Sequence, residues 1–309
     1  MELIGEAAGL ATAFLWALTS IFFAQAGRRI GSFRVNVVRL GLAVAIYVVV
    51  LMAVEGRLLP ANLNQAQVLW LAGSALVGLV FGDGCGFKAL VMIGPRLTTL
   101  MYAGAPIWTT VIAWVFLGEQ LGFWHLLGIG LSIGGIVWVV MERRYEGGAT
   151  FGLATDHPDS GSLLKGVILG MGAALGQAVG LVMAKQGMFF AGGTVEPLSA
   201  AFLRMLVAFP AIVLLAALRG QLGEIGRAVR DIRAVGWSTA GATVGPFLGV
   251  WMSLVAVKYI ATGVAATLNA MTPVVILPLV ILFYREKVTP RAALGALVAV
   301  TGAAILFLA

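Results

Sequence analysis

"TTLMYAGAPIWTTVIAWVFLG", residues 98–118, contains no Asp, Glu, Lys or Arg. At 1.5 Å per helical residue the stretch is long enough to cross a hydrocarbon core of about 30 Å by itself. The rest of the chain has the same character. Of its 309 residues 61% are hydrophobic and only 11% charged, with a mean hydropathy of +1.02. A soluble domain carries about 25% charged residues, so this composition defines an all-α integral membrane protein. The 41 glycines fit that solvent, because small residues let helix backbones approach closely in lipid. The lone Cys85 rules out an intrachain disulfide or a cysteine-based metal cluster, and no cofactor or metal is expected. Glu2 and Glu6 stand where a cleavable signal peptide would carry basic residues, so none is expected.

Windows of about 20 apolar residues give ten segments. They run near 5–26, 33–54, 67–90, 96–117, 122–141, 163–186, 195–218, 235–257, 262–284 and 290–308. The connections are short except 142–162, where "EGGATFGLATDHPDSGS" (146–162) is polar, Gly/Ser-rich and Pro-containing, the composition of a linker. It separates two five-segment halves, 1–141 and 163–309. The halves are related in sequence. Arg39 matches Arg204 at an offset of 165, and beyond it an offset of 167 holds to the end of each half. Trp70 then meets Trp237, Pro106 meets Pro273, Glu119 meets Glu286 and Gly128 meets Gly295. Ser74, Gly78, Gly82 and Gly86 likewise meet Gly241, Gly245, Gly249 and Ser253. An odd number of segments per half makes the second enter the membrane from the opposite side, the inverted-repeat plan of secondary transporters.

The net charge of +7 resides in connections rather than in a nucleic-acid surface, and no nucleic-acid partner is expected. Connections after the odd-numbered segments carry fourteen Lys or Arg (28, 29, 34, 96, 143, 144, 165, 219, 227, 230, 233, 285, 287 and 291). The opposite face carries three, Arg57, Lys185 and Lys258. The positive-inside rule therefore places both termini outside the cytoplasm. Leu222, Ile225, Val229 and Ile232 alternate with Arg227, Arg230 and Arg233, as in a short interfacial amphipathic helix.

"WALTS" (16–20), an arginine early in the second segment, "AL..IGPRLTTLMYAGAPIWTTVIAWVFLGEQL" (89–121) and the glycine-rich fifth segment together resemble an EamA repeat. "AVKYIATGVAATLNAMTPVVILPLVILFYREKV" (256–288) repeats the pattern more loosely. The chain is similar to ten-helix EamA-type members of the drug/metabolite transporter superfamily. The resemblance implies a cavity lined by segments 1–4 and 6–9, with segments 5 and 10 peripheral. It also implies alternating-access transport, often export, of small organic solutes across the plasma membrane. Two departures stand out. Family members are often drawn with cytoplasmic termini, and Asp83 faces Val250 in the repeat register rather than a second acid.

Charges within spans face an interior or a water-filled cavity, which singles out Asp83. It reads either as a substrate- or proton-binding carboxylate or as half of a structural ion pair with Arg39 or Lys88. Lys88 is nearer the segment end and is expected to snorkel to the interface. Arg39 and Arg204 suit gates or anchors for an anionic group, or simple helix bracing. Pro106 and Pro273 fall near mid-segment, where each removes a backbone donor and frees the carbonyl four residues earlier, on Tyr102 and Asn269. That makes Tyr102 and Asn269 the leading pair of substrate-binding candidates, with packing kinks as the alternative. Thr98, Thr99 and Thr109 offer hydroxyls, although membrane threonines commonly bond their own backbone. Trp16, Trp108 and Trp251 lie deep in their segments and either wall a substrate or fill the core. Gln177 is a polar lining candidate opposite Trp16. Glu119 and Glu286 read as structural turn residues.

These features favour a secondary transporter of a small organic solute, monomeric or homodimeric in the bilayer, with protons a candidate coupling ion. The competing class is a membrane-embedded enzyme acting on a lipid or small molecule. His125 and His157 show no metal-ligand spacing, so no enzyme is expected.

Overall fold

The structure is a computed structural model and describes residues 1–58, 63–142, 160–275 and 289–308. The helices are α1 (Glu2–Ile30), α2 (Ser32–Val54), α3 (Gln65–Ser74), α4 (Asp83–Tyr102), α5 (Ala105–Leu117), α6 (Phe123–Glu142) and α7 (Ser160–Phe189). They continue as α8 (Pro197–Leu218), α9 (Leu222–Ala228), α10 (Ile232–Ala242), α11 (Val250–Tyr259), α12 (Thr262–Asn269) and α13 (Pro290–Leu308). Two π-helical segments, Ala75–Gly82 and Thr243–Gly249, join α3 to α4 and α10 to α11. Among the described residues nine helical runs are long and apolar enough to span a bilayer. The expected ninth segment is described only to residue 275. Its remainder, Glu286, His157, the Thr99 side chain and most of the 142–162 linker lie outside the described residues.

Local chemistry explains the boundaries. Gly31 ends α1 at φ 81°, a left-handed conformation that costs glycine little, and α2 starts at the next residue. Asn64 opens α3 with a capping box, its side chain accepting from the backbone while Gln67 Oε1 accepts from Asn64 N at 3.1 Å. α4 keeps helical bonding through the expected third connection, yet the chain reverses there. Ala89 and Met101 both pack on Gly170, and the Tyr102 hydroxyl lies over Gly86. A straight run of that length would separate Gly86 from Tyr102 by about 24 Å.

Each half lends a helix to the other. α7, from the second half, packs on α3, α4 and α5, whereas α1, from the first, packs on α10, α11 and α12. Glycine sets the closest of these contacts. A Cβ on Gly180 would stand 2.8 Å from Gly78 Cα, a Cβ on Gly176 2.8 Å from Gly82 Cα, and Ser74 Oγ donates to Gly180 O at 2.5 Å. Three of the four small residues in the third segment therefore serve as the seat of α7. The fourth, Gly86, receives Tyr102. α6 and α13 form a separate pair, close enough that Gly135 backs onto Ala299 and Ser132 Oγ donates to Ala299 O at 3.3 Å. Gly128, Gly135, Gly295 and Gly302 thus pack within this chain, whereas Gly130 and Gly134 face open space.

Ion pairs fasten both ends. Arg29–Asp231 (2.9 Å) and Arg34–Glu224 (2.7 Å) bring the connections after α1 and α8 to one side. Lys185–Glu119 and Lys258–Glu196, both 2.8 Å, close the other. Arg34 holds the Glu224 carboxyl below its ordinary range by hydrogen bonding. The Ala234 N–H and then Arg29 do the same for Asp231. α9 is the short helix expected between them, with Leu222 and the flanking Val229 exposed.

Two outcomes follow from this packing. Gly180→Ala forces backbone apart and should cost about 1–3 kcal/mol in detergent unfolding. Gly134→Ala, where a Cβ meets nothing within 4 Å, should be neutral or stabilising by up to about 1 kcal/mol. For Glu224 and Asp231 a depressed pKa means their stabilising contribution is complete above the unfolded value and is lost only as pH falls through the folded one. Glu224→Gln and Asp231→Asn should therefore leave the shape of any activity profile between pH 5 and 8 unchanged.

Candidate functional site

The two prolines do more than kink their helices. α4 ends at Tyr102, a turn occupies Ala103–Gly104, and α5 begins at Ala105 with Pro106 in its first turn. Proline fits there because the first helical N–H groups have no partner within the helix anyway. In the second repeat α12 ends at Asn269, residues 270–271 turn, and helical residues 272–275 carry Pro273. Both halves thus break a helix at matching positions, as discontinuous transporter helices do.

Two polar groupings fill the layer beside these breaks. Arg39 is the centre of the first, with only 4% of its side chain accessible. Its Nη2 donates to Asp83 Oδ2 and its Nε to Asn36 Oδ1 at 2.7 Å. The rings of Phe23 and Phe87 lie 5.6 and 5.3 Å from the guanidinium carbon. Asp83 keeps 15% exposure, and its other oxygen accepts from Gln177 Nε2 at 2.7 Å. Gln177 also donates to Gly78 O, in the first π segment, at 3.3 Å. In the second grouping the Tyr47 hydroxyl reaches Phe247 O at 2.8 Å and Pro246 O at 3.3 Å, both in the other π segment. Each π turn is a widened ladder, and each has a carbonyl answered by a side chain from another helix.

The structure gathers Asp83, Arg39, Gln177 and Tyr102 around one carboxylate, Tyr102 lying close enough to Asp83 to feel its charge. Asn269 sits across the other break. Its amide bonds Ser253 Oγ at 3.0 Å, and in the orientation that satisfies both ends its nitrogen donates to Gly9 O and Ala265 O at 3.3 Å. Trp16 places Nε1 against Gly249, where a Cβ would meet it at 3.5 Å, and Trp251 lies 6.1 Å from Phe247. Thr98 is buried, and Thr109 bonds Ala105 O in its own helix at 2.9 Å. Trp108 does not join the group. It is 42% exposed on a face of α5 with Ile107, Val111 and Trp114. Lys88 is exposed, and Asp83 bonds Arg39 and Gln177 instead. Glu119 caps α12, accepting from Thr262 N at 2.7 Å and Thr262 Oγ1 at 2.6 Å. Sequence reasoning missed Asn36 and Tyr47. Asn36 stands three residues before Arg39, a spacing that puts both on one helix face. Tyr47 gave no comparable signal.

Two repeats of apolar helices around a buried charged layer define a multi-pass membrane protein of transporter architecture. The sequence profile of the EamA-like transporter family matches residues 3–141 and again 164–308, so the chain belongs to that family. A solved structure described only as "Crystal structure of protein" superposes with a TM-score of 0.74 at 18% identity, covering 98% of this chain and 96% of that one, which shows a shared fold. No curated protein matches the chain.

Asp83→Asn would strand the Arg39 charge inside the bundle and should cost about 3–5 kcal/mol of stability. Adding Arg39→Gln should return much of that loss. Additive single-mutant losses in detergent unfolding would mean that the two side chains are not coupled.

Proposed function

We propose that the protein is a secondary transporter of the drug/metabolite transporter superfamily that moves a small organic solute by alternating access, in the exporting direction. The observation that carries this reading is the pair of mid-membrane helix breaks, at 103–104 and 270–271, set beside the Arg39–Asp83–Gln177 cluster. Interrupted backbone at bilayer depth is tolerated where protein covers it or where it lines a cavity, and half-helix ends there supply ligands for a solute. Tyr102, Asn269, Asp83, Gln177, Trp16, Trp251 and Thr98 are the proposed contacts. Trp108, on an exposed face, is left out. The two inverted halves, 1–141 and 163–309, would rock about this layer, with Arg39 and Asp83 pairing as the solute passes.

In this reading Asp83 is also the group that loads a proton, and the termini lie outside the cytoplasm of a plasma-membrane protein that works as a monomer or homodimer. The orientation rests on the fourteen-to-three bias in connection charge. A reporter that fluoresces only in the cytoplasm, fused after Ala309, should stay dark, and bright inserted fusions would reverse the orientation.

Transport itself is tested by reconstitution. Solutes that raise the unfolding temperature in detergent would be offered to sealed proteoliposomes with and without a pH gradient. The expected result is saturable, gradient-dependent movement that Asp83→Asn abolishes or makes insensitive to pH while the protein still inserts. Chemical conversion of the solute with no net movement would place the chain among enzymes instead.

A further inference from the structure

Arg39 and Arg204 are repeat mates, but their surroundings differ. Arg39 has a carboxylate, an asparagine oxygen and two aromatic faces. Arg204 is equally buried, with 4% accessible, yet it makes no hydrogen bond and no ion pair among the described residues, and its Nε is fully enclosed without an acceptor. Asp83 lies within electrostatic range of Arg204 but is committed to Arg39 and Gln177. Tyr47, the other polar neighbour, directs its hydroxyl at carbonyls of the second π segment. Among the described residues the central layer therefore holds two guanidinium charges against one carboxylate. An unpaired charge is the costliest thing a bundle can bury, since neither lipid nor apolar side chains solvate it.

We propose that Arg204 is the receptor for the carboxylate of a monoanionic organic solute, which completes the layer when it binds. The guanidinium lies against the first π segment. Its Nη2 rests where Gly78 has no side chain, a Cβ there standing 3.4 Å away. From Tyr47 a row of rings leads on, Tyr47 to Phe247 at 4.8 Å and Phe247 to Trp251 at 6.1 Å. A planar, rigid fork of donors matches a carboxylate in two-point geometry, and the neighbouring rings accept an apolar or aromatic body. The excess charge at the layer is a single unit, which a monoanion cancels and a dianionic phosphate would overshoot. The same arrangement makes Asp83 and Arg204 distinct in role: the first is neutralised by the protein, the second by the cargo.

The inference rests on the transporter reading for its purpose, but its test does not need transport. Purified protein in detergent would be unfolded thermally with sodium benzoate, benzamide or sodium phosphate at constant ionic strength. Benzoate should raise the midpoint by about 2–5 °C with saturation, benzamide should not, and phosphate should have less effect than benzoate. Arg204→Gln should unfold at a higher temperature than wild type without ligand, because it removes the unpaired charge, and should lose the benzoate shift. Arg204→Lys, which keeps the charge but not the fork, should keep a reduced shift, and it carries the test if Arg204→Gln does not accumulate. An equal benzoate shift in both variants, no shift in wild type, or a larger shift with phosphate would each overturn the proposal. Benzoate binding without solute movement in proteoliposomes would leave this site standing and sink the transporter reading. Movement of neutral solutes with no benzoate shift would do the reverse.

Discussion

The Arg39–Asp83 ion pair, completed by Gln177, ties together three helices from both halves of the chain. Arg39 comes from α2, Asp83 from the start of α4, and Gln177 from α7. In hydrocarbon an isolated acidic or basic side chain costs about 2.5–3.5 kcal/mol on insertion scales, and water is not there to relieve it. Each partner therefore has to be delivered by the fold. Gln177 reaches Asp83 only because Gly176 and Gly180 let α7 settle on the backbone of the first π segment. The glycine contact and the charged cluster are one structure seen at two scales.

The two repeats are not equivalent, and the difference lies in the seams around the two π segments. Gly78 and Gly82 meet glycines of α7, whereas their mates Gly245 and Gly249 meet Thr19 and Trp16 of α1. One seam is backbone on backbone, and the other is separated by side chains. Asp83 likewise has Val250 as its mate, so among the described residues only one of the two arginines pairs with a carboxylate. Under the proposed alternating-access reading, two similar halves exchange conformations, and these departures from symmetry are where a solute would bias that exchange through differential contacts.

Much of this was legible in the sequence because lipid narrows the choices. The apolar helical composition, the repeat register and the pairing of Asp83 with Arg39 follow from hydropathy and the cost of a charge in a span, whereas Pro106 and Pro273 read as kinks and stand at helix breaks. Other features were not legible. The π segments have no compositional mark, and Ala75–Gly82 reads as ordinary helix until its hydrogen bonds are known. The exchange of α1 and α7 between halves depends on contacts between residues more than a hundred positions apart, as in Ser74 with Gly180. Tyr47 acts on carbonyls 199 and 200 residues away, which no local pattern announces. The exposed face of Trp108 was not legible for a related reason: depth in a segment says nothing about which face a ring occupies.

The central claim is that this polar layer opens to each side of the membrane in turn, and cysteine accessibility tests it most directly. Ser253, which bonds Asn269 beside the second break, tolerates a near-isosteric change to cysteine once the native thiol is removed by Cys85→Ser. Membrane-impermeant thiol reagents would be applied to right-side-out and inside-out vesicles carrying Ser253→Cys. The account predicts modification from both sides, with a bound solute slowing each. Modification from one side only, or from neither, would contradict it.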